Sequence, residues 1–241
     1  MSTENTFDNI DEVLSNIPDN YSIMEESIDL EVQKEFFESI KNLKKEPNSE
    51  STEALIEALS QNIEDKSKLK TILQKLSTID AVNAYRAIEE FNKNAQGELK
   101  EWSLLAFQQS RMVIQSSLMG EQQVFITTGL GGKNNMLRYY LIFPYNNRKE
   151  LTKIENQTLK SELEFHFSAY NGIIEEIEYQ SKYSTALVLI PLKTNITDLV
   201  NIVLNECNQF GNYLSENVLI TNMKKFTTEE ILQILENNEE E

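Results

Sequence analysis

The sequence predicts an α+β protein in two parts: a helical domain first, then a two-layer antiparallel sandwich of helices and strands. Three observations predict this. Apolar residues recur at helical spacing as far as Met119, and after Gly120 the period becomes strand-like. Breakers and caps fall at the ends of the periodic runs. Beyond Gly120 helical stretches alternate with hairpins, which suits an antiparallel sheet covered by helices.

The elements follow in order. Residues 1–28 form an acidic arm in which Phe7, Ile10, Val13, Leu14 and Ile17 recur at helical spacing before Pro18. Residues 29–120 are the helical domain. Leu30, Val32, Phe36, Phe37, Ile40 and Leu43 make the first stripe, with Lys44 and Lys45 at its C-terminal end and Pro47 as a stop. Ser51 and Thr52 open a second helix carrying Leu55, Ile56, Leu59 and Ile63. Leu69, Ile72, Leu73 and Leu76 form a third. Asp80 is placed to cap a fourth, with Val82, Tyr85, Ile88 and Phe91, which Gly97 ends. A longer helix runs from Glu98 to Met119, with Trp102, Leu105, Ala106, Met112, Val113 and Leu118 inward and Gly120 as its stop. Residues 51–119 resemble HEAT or armadillo helical hairpins in architecture. No self-similar motif recurs at a fixed period, so a plain bundle is the equal expectation.

Residues 121–241 are the sandwich, in the order ββαββαβα. Val124–Ile126 and Leu137–Phe143 flank a Gly/Asn-rich loop and read as a hairpin. A helix is expected over 148–170. Ile173–Tyr179 and Ser184–Leu192 make a second hairpin, Asn195 or Thr197 caps a helix to Phe210, and Val218–Ile220 is a fifth strand. Thr227–Glu230 opens a last helix, followed by an acidic tail. A ferredoxin-like split βαβ with an extra strand satisfies this order.

Composition narrows the classes of function. The net charge is −17, and it is segregated: residues 1–65 hold 17 acids and 4 bases, 66–228 hold 16 acids and 18 bases, and 229–241 hold 6 acids and no base. Acidic ends argue against direct nucleic-acid binding by the whole surface and leave the nearly neutral middle open to it. No apolar run approaches the ~20 residues of a membrane span, and the N-terminus lacks the basic and apolar regions of a secretory signal. One cysteine, Cys207, permits no internal disulfide. A cytoplasmic location is expected, with no membrane insertion.

Chemistry-bearing residues are sparse. Gly129, Gly131 and Gly132 are three of the seven glycines, and they precede Lys133. Glycine there implies positive φ or a close backbone approach, and successive amides beside a lysine suit an anion. A phosphate-binding Walker loop needs glycine at 127, a hydroxyl at 134 and a following helix; the chain has Thr127, Asn134 and a strand. Arg138, beside Tyr139 and Tyr140, is a second candidate for an anion or a base. Trp102 and Arg111 on the long helix are candidates for a ligand or partner contact between the two halves. His166, the one histidine, shares a helix face with Glu162 and reads as structural. No metal set, cofactor motif or catalytic residue is signposted. The expectation is therefore a cytosolic adaptor or regulator of bacterial type without catalytic activity, binding a protein partner that has a basic surface. The alternatives are a small-ligand or nucleotide sensor using Gly129–Lys133, and an acidic competitor of a basic nucleic-acid-binding surface. An enzyme whose residues converge only in space stays open.

Overall fold

The computed structural model describes residues 17, 20–43, 50–61, 64–121, 123–146, 150–209 and 211–238. Most of the acidic arm, Lys44, Lys45, Pro47, Ile63, Phe210 and the tail beyond 238 lie outside the described residues. The fold is α+β, with eight helices and an antiparallel sheet among the described residues. The chain divides into two compact units. One comprises 18–24 and 28–126; the other comprises 1–17, 25–27 and 127–241. No helix of the described residues is long and apolar enough to cross a membrane.

The first unit carries β1 (Tyr21–Ile23), α1 (Leu30–Leu43), α2 (Thr52–Ser60), α3 (Lys66–Ser77), α4 (Val82–Asn94), α5 (Glu98–Met119) and β2 (Val124–Ile126). Ser51 caps α2 by accepting from the Ala54 amide, and Asp65 caps α3 by accepting from Ser67 and Lys68. Asp80 does not cap α4: the N-cap is Ala81, with no side-chain bond. Gly120 ends α5 in the left-handed region at φ 66, which only glycine adopts without a Cβ penalty; Leu118, expected inward, is exposed, because the buried positions of α5 stop at Ser110. Phe36, Leu73, Leu76, Ile88, Trp102 and Leu105 form the core. Helix α5 lies against α1, α3 and α4, so contacts are not confined to neighbouring hairpins as they are in a solenoid.

Strand β2 departs from expectation. It pairs in parallel with β1, Tyr21 to Val124 through Ile23 to Ile126, and is not the first arm of a hairpin. Strand β1 is only three residues long and its partner lies about a hundred residues away, so no local pattern announced the pairing.

The second unit carries β3 (Gly132–Lys133), β4 (Met136–Pro144), α6 (Lys153–Ala169), β5 (Ile173–Tyr179), β6 (Tyr183–Pro191), α7 (Ile196–Asn208), β7 (Leu219–Thr221) and α8 (Thr228–Asn238). Strand β4 pairs along its whole length with β6, Met136 opposite Pro191 and Pro144 opposite Tyr183. Strand β5 pairs with the far side of β6. The other edge of β4 takes β3 near its start, at Met136 and Leu137, and then β7 at Tyr140–Ile142. All these pairings are antiparallel.

Side-chain alternation sorts the sheet into two faces. Leu141, Phe143, Val188 and Ile190 meet Leu159, Leu163 and Phe167 of α6 and Leu199, Val200 and Val203 of α7. Tyr140, Ile142 and Tyr183 point the other way and meet Ile231 of α8. The last helix thus adds a third layer where two were expected. Thr152 and Glu155 form a capping box before α6, and Asn195 caps α7 as expected. Thr227 and Glu230 exchange backbone and side-chain bonds at the start of α8.

Candidate functional site

The glycine loop is not a free hairpin tip. Gly129 through Gly132 are buried, and residues 222–223 run directly over them. A Cβ on Gly129 would lie 1.7 Å from the Met223 carbonyl oxygen, so the two backbones touch. Gly131 sits at φ 64, and a Cβ there would come within 2.5 Å of the Glu25 and Glu26 carbonyl oxygens. These are a close approach and a positive φ, the two reasons a chain places glycine.

The loop amides are used internally. Leu130 donates to the Asn222 carbonyl at 3.0 Å, Gly131 to Thr128 at 3.3 Å, and the Arg138 amide to Gly131 at 3.1 Å. The Ser27 hydroxyl donates to the Gly129 carbonyl at 2.5 Å. The loop then emerges. Lys133, Asn134 and Asn135 are exposed, and both asparagines have positive φ, 50 and 62, giving a tight two-residue turn between β3 and β4. The Asn134 amide donates to Glu25 Oε1 at 3.0 Å.

Arg138 is engaged. Its Nε donates to Glu175 Oε2 at 2.6 Å and its Nη2 to Glu175 Oε1 at 3.2 Å, a forked pair. Its Nη1 donates to the Leu130 carbonyl at 2.8 Å. The register of β5 slips between Ile174 and Glu176, and this bulge re-aims Glu175 toward the arginine. Arg138 therefore clamps the glycine turn to the sheet.

Two more cations lie on the segment after β7. That strand runs antiparallel to β4, so continuing it leads toward the start of β4, where β3 is paired. Met223, Lys224 and Lys225 are exposed there. Lys224 meets Glu230 at 2.5 Å, and Lys225 meets Glu176 at 2.5 Å. Each lysine holds its partner carboxyl below the usual carboxylate range through the hydrogen bond it donates. Met223 thus lies against the glycine loop that leads to exposed Lys133–Asn135, while Lys225 reaches over the sheet face to Glu176 on β5, the strand at the opposite edge.

The remaining sequence candidates lie elsewhere. Trp102 belongs to the first unit's core: its ring is 5.3 Å from Phe36, Lys70 lies 4.3 Å over it, and Nε1 donates to the Lys70 carbonyl. Arg111 is exposed on α5 of the same unit. His166 pairs with Glu162 at 3.3 Å. Cys207 is buried, and that burial pushes its thiol up to about 11. No group of three metal-ligating side chains occurs among the described residues. A cavity of about 470 Å³ between α8 and the β4–β7 edge is lined by Ile142, Leu219, Ile231, Leu235 and others, with Asn217 its one polar side chain.

Sequence reasoning missed Ser27, Met223, Lys224 and Lys225, and took Glu25 only as one of many solvated carboxylates. The glycines did signal a close backbone neighbour, but nothing in a linear sequence says which segment supplies it.

No family model matches the chain, and no curated protein matches it. Among solved structures it is similar to a protein designated a transposase from Deinococcus radiodurans R1, at 18% identity and a TM-score of 0.37, over 42% of this chain and 90% of that one. It is also similar to a REP-associated tyrosine transposase bound to a REP hairpin, at 9% identity and a TM-score of 0.32, over 40% of this chain and 61% of that one. These neighbours correct the expectation of a non-catalytic protein adaptor, together with its ligand-sensor and acidic-competitor alternatives. They also correct the expectation against direct nucleic-acid binding, which was drawn from net charge. At these scores neither neighbour assigns an activity to this chain.

Proposed function

We propose that the C-terminal unit contacts the phosphate backbone of nucleic acid through the exposed loops Lys133–Asn135 and Met223–Lys225. The observation that carries this reading is the Gly129–Met223 backbone contact. It sets the segment that continues into exposed Lys224 and Lys225 against the loop that continues into exposed Lys133. The pairs of Lys224 with Glu230 and Lys225 with Glu176 are exposed and screened by solvent, so a phosphate can take the place of either carboxylate. The asparagines and exposed amides of the β3–β4 turn add neutral donors of the kind that contact phosphate oxygens.

Several finer readings go with this proposal. The order β7-β4-β6-β5, with α6 and α7 on one face, is what a ferredoxin-like split βαβ gives, and α8 is an addition to it. We take 29–120 and 121–241 as the domains, and the cytoplasm as the location, where a lone buried thiol stays reduced.

The net charge sets the form of the test. Three lysines on single-stranded nucleic acid give a slope of log K against log salt near −2, hence a loss of about twentyfold between roughly 50 and 200 mM salt. Fluorescence anisotropy of a labelled single strand with the full chain measures this slope. The Lys133→Ala/Lys224→Ala/Lys225→Ala variant is expected to abolish both the binding and its salt dependence. Equal binding by this variant and the wild type refutes the site.

A further inference from the structure

We infer that the Asn134 amide is a subsite for one phosphate oxygen of the bound backbone, and that the Glu25 carboxylate occupies it as an intramolecular stand-in. This rests on the nucleic-acid reading above and gives it a particular atom. In a two-residue turn the central amides are not used by the strand ladder. The amides of Leu130, Gly131 and Arg138 all donate to backbone carbonyls and are committed to the fold. The Asn134 amide instead donates to a side chain, Glu25 Oε1 at 3.0 Å, and both residues are exposed. A carboxylate oxygen and a phosphate oxygen ask the same thing of an amide, and a charged acceptor strengthens the bond. Lys133, one residue earlier, is exposed and supplies the positive charge such an oxyanion needs. The turn therefore holds an anion already, and it is the chain's own.

Glu26 provides the control. It is exposed and adjacent to Glu25, so its removal changes the net charge equally. Vacating the amide returns what the exposed contact was worth, up to about fivefold in affinity. Binding of a labelled single strand of about 20 nucleotides, long enough to cover one such site, is compared at low salt for Glu25→Ala, Glu25→Gln and Glu26→Ala in the full chain. Glu25→Ala is expected to tighten binding about fivefold beyond Glu26→Ala, since only it frees the amide. Glu25→Gln is expected to fall between them, because its carbonyl can still accept the bond. The Asn134 amide resonance is expected to move when the oligonucleotide is added, and far less with inorganic phosphate at the same phosphate concentration. Equal gains from Glu25→Ala and Glu26→Ala, or an unmoved Asn134 resonance, overturn the inference while leaving the lysine contacts of the proposed function standing. An equal response to inorganic phosphate reassigns the subsite to free phosphate and overturns it too. Absence of any binding by wild type and variants removes the nucleic-acid reading itself.

Discussion

Gly129–Gly132 and Lys133–Asn135 are consecutive in sequence and opposite in environment. The glycines are buried beneath a second backbone, while the lysine and asparagines are exposed. The positive φ values of the outer turn are supplied by Asn134 and Asn135, residues that tolerate the left-handed region and carry polar side chains. Glycine is used where nothing but hydrogen fits, and asparagine where the chain must turn in view of solvent. A sequence motif that joins all of these into one glycine-rich anion loop merges two jobs. The inner half fastens loops together, and the outer half meets what lies outside.

The largest test of this division is Gly129→Ala. Its methyl group would lie 1.7 Å from the Met223 carbonyl oxygen, so the 222–225 segment or the turn must move. The expected cost is about 3 kcal/mol or more, read by urea unfolding of the full chain. The same change is expected to weaken nucleic-acid binding, because it displaces the segment that carries Lys224 and Lys225. Wild-type stability in the Gly129→Ala variant would dissolve the inner half of the comparison.

Arg138→Ala comes next. It leaves the Leu130 carbonyl without the Nη1 donor and Glu175 without its fork, in a site where the arginine side chain is 18% exposed. A loss of roughly 1–2 kcal/mol is expected, with little rescue by Arg138→Lys, since an ammonium cannot reproduce the fork. A variant that binds nucleic acid poorly yet unfolds like wild type would move Arg138 from the clamp to the contact surface.

The helices were legible from residues close in sequence. Periodic leucines and the Ser51, Asp65 and Asn195 caps act within a turn or two, so their signals are local. Asp80 misled because the chain places Ala81 at the N-cap, and a preference for aspartate there is only a preference. The sheet was half legible. The β5–β6 hairpin follows from adjacent runs, whereas the parallel β1–β2 pair and the β7–β4 pair join segments far apart. The candidate site was the least legible part, because Gly129 records that a neighbour exists and Met223 could not be named from it. Net charge is a sum over the whole chain in the same way: the total of −17 is set by the two ends, and residues 66–228 are nearly balanced.

The smallest expected effect bears on the outer half. Lys225→Ala removes the exposed pair with Glu176, whose side chain is 45% exposed. The hydrogen bond from Lys225 keeps the Glu176 carboxyl below the usual range in the folded protein. A carboxyl depressed on folding contributes stability above its unfolded pKa, roughly 4.3, and that contribution is lost as pH falls through the folded value. Solvent screening at this exposure holds it to about 0.5 kcal/mol. Wild type and Lys225→Ala are therefore expected to differ by no more than this near neutral pH and to converge as pH falls below about 4, in paired urea unfolding curves. The same substitution is expected to flatten the salt slope of nucleic-acid binding by about 0.7, one cation's share on a single strand. A residue that barely affects folding but carries a full share of binding belongs to the outer half. If Lys225→Ala instead costs ~2 kcal/mol of stability and leaves the salt slope unchanged, the lysine is part of the fastening, and the contrast between the two halves fails at that residue.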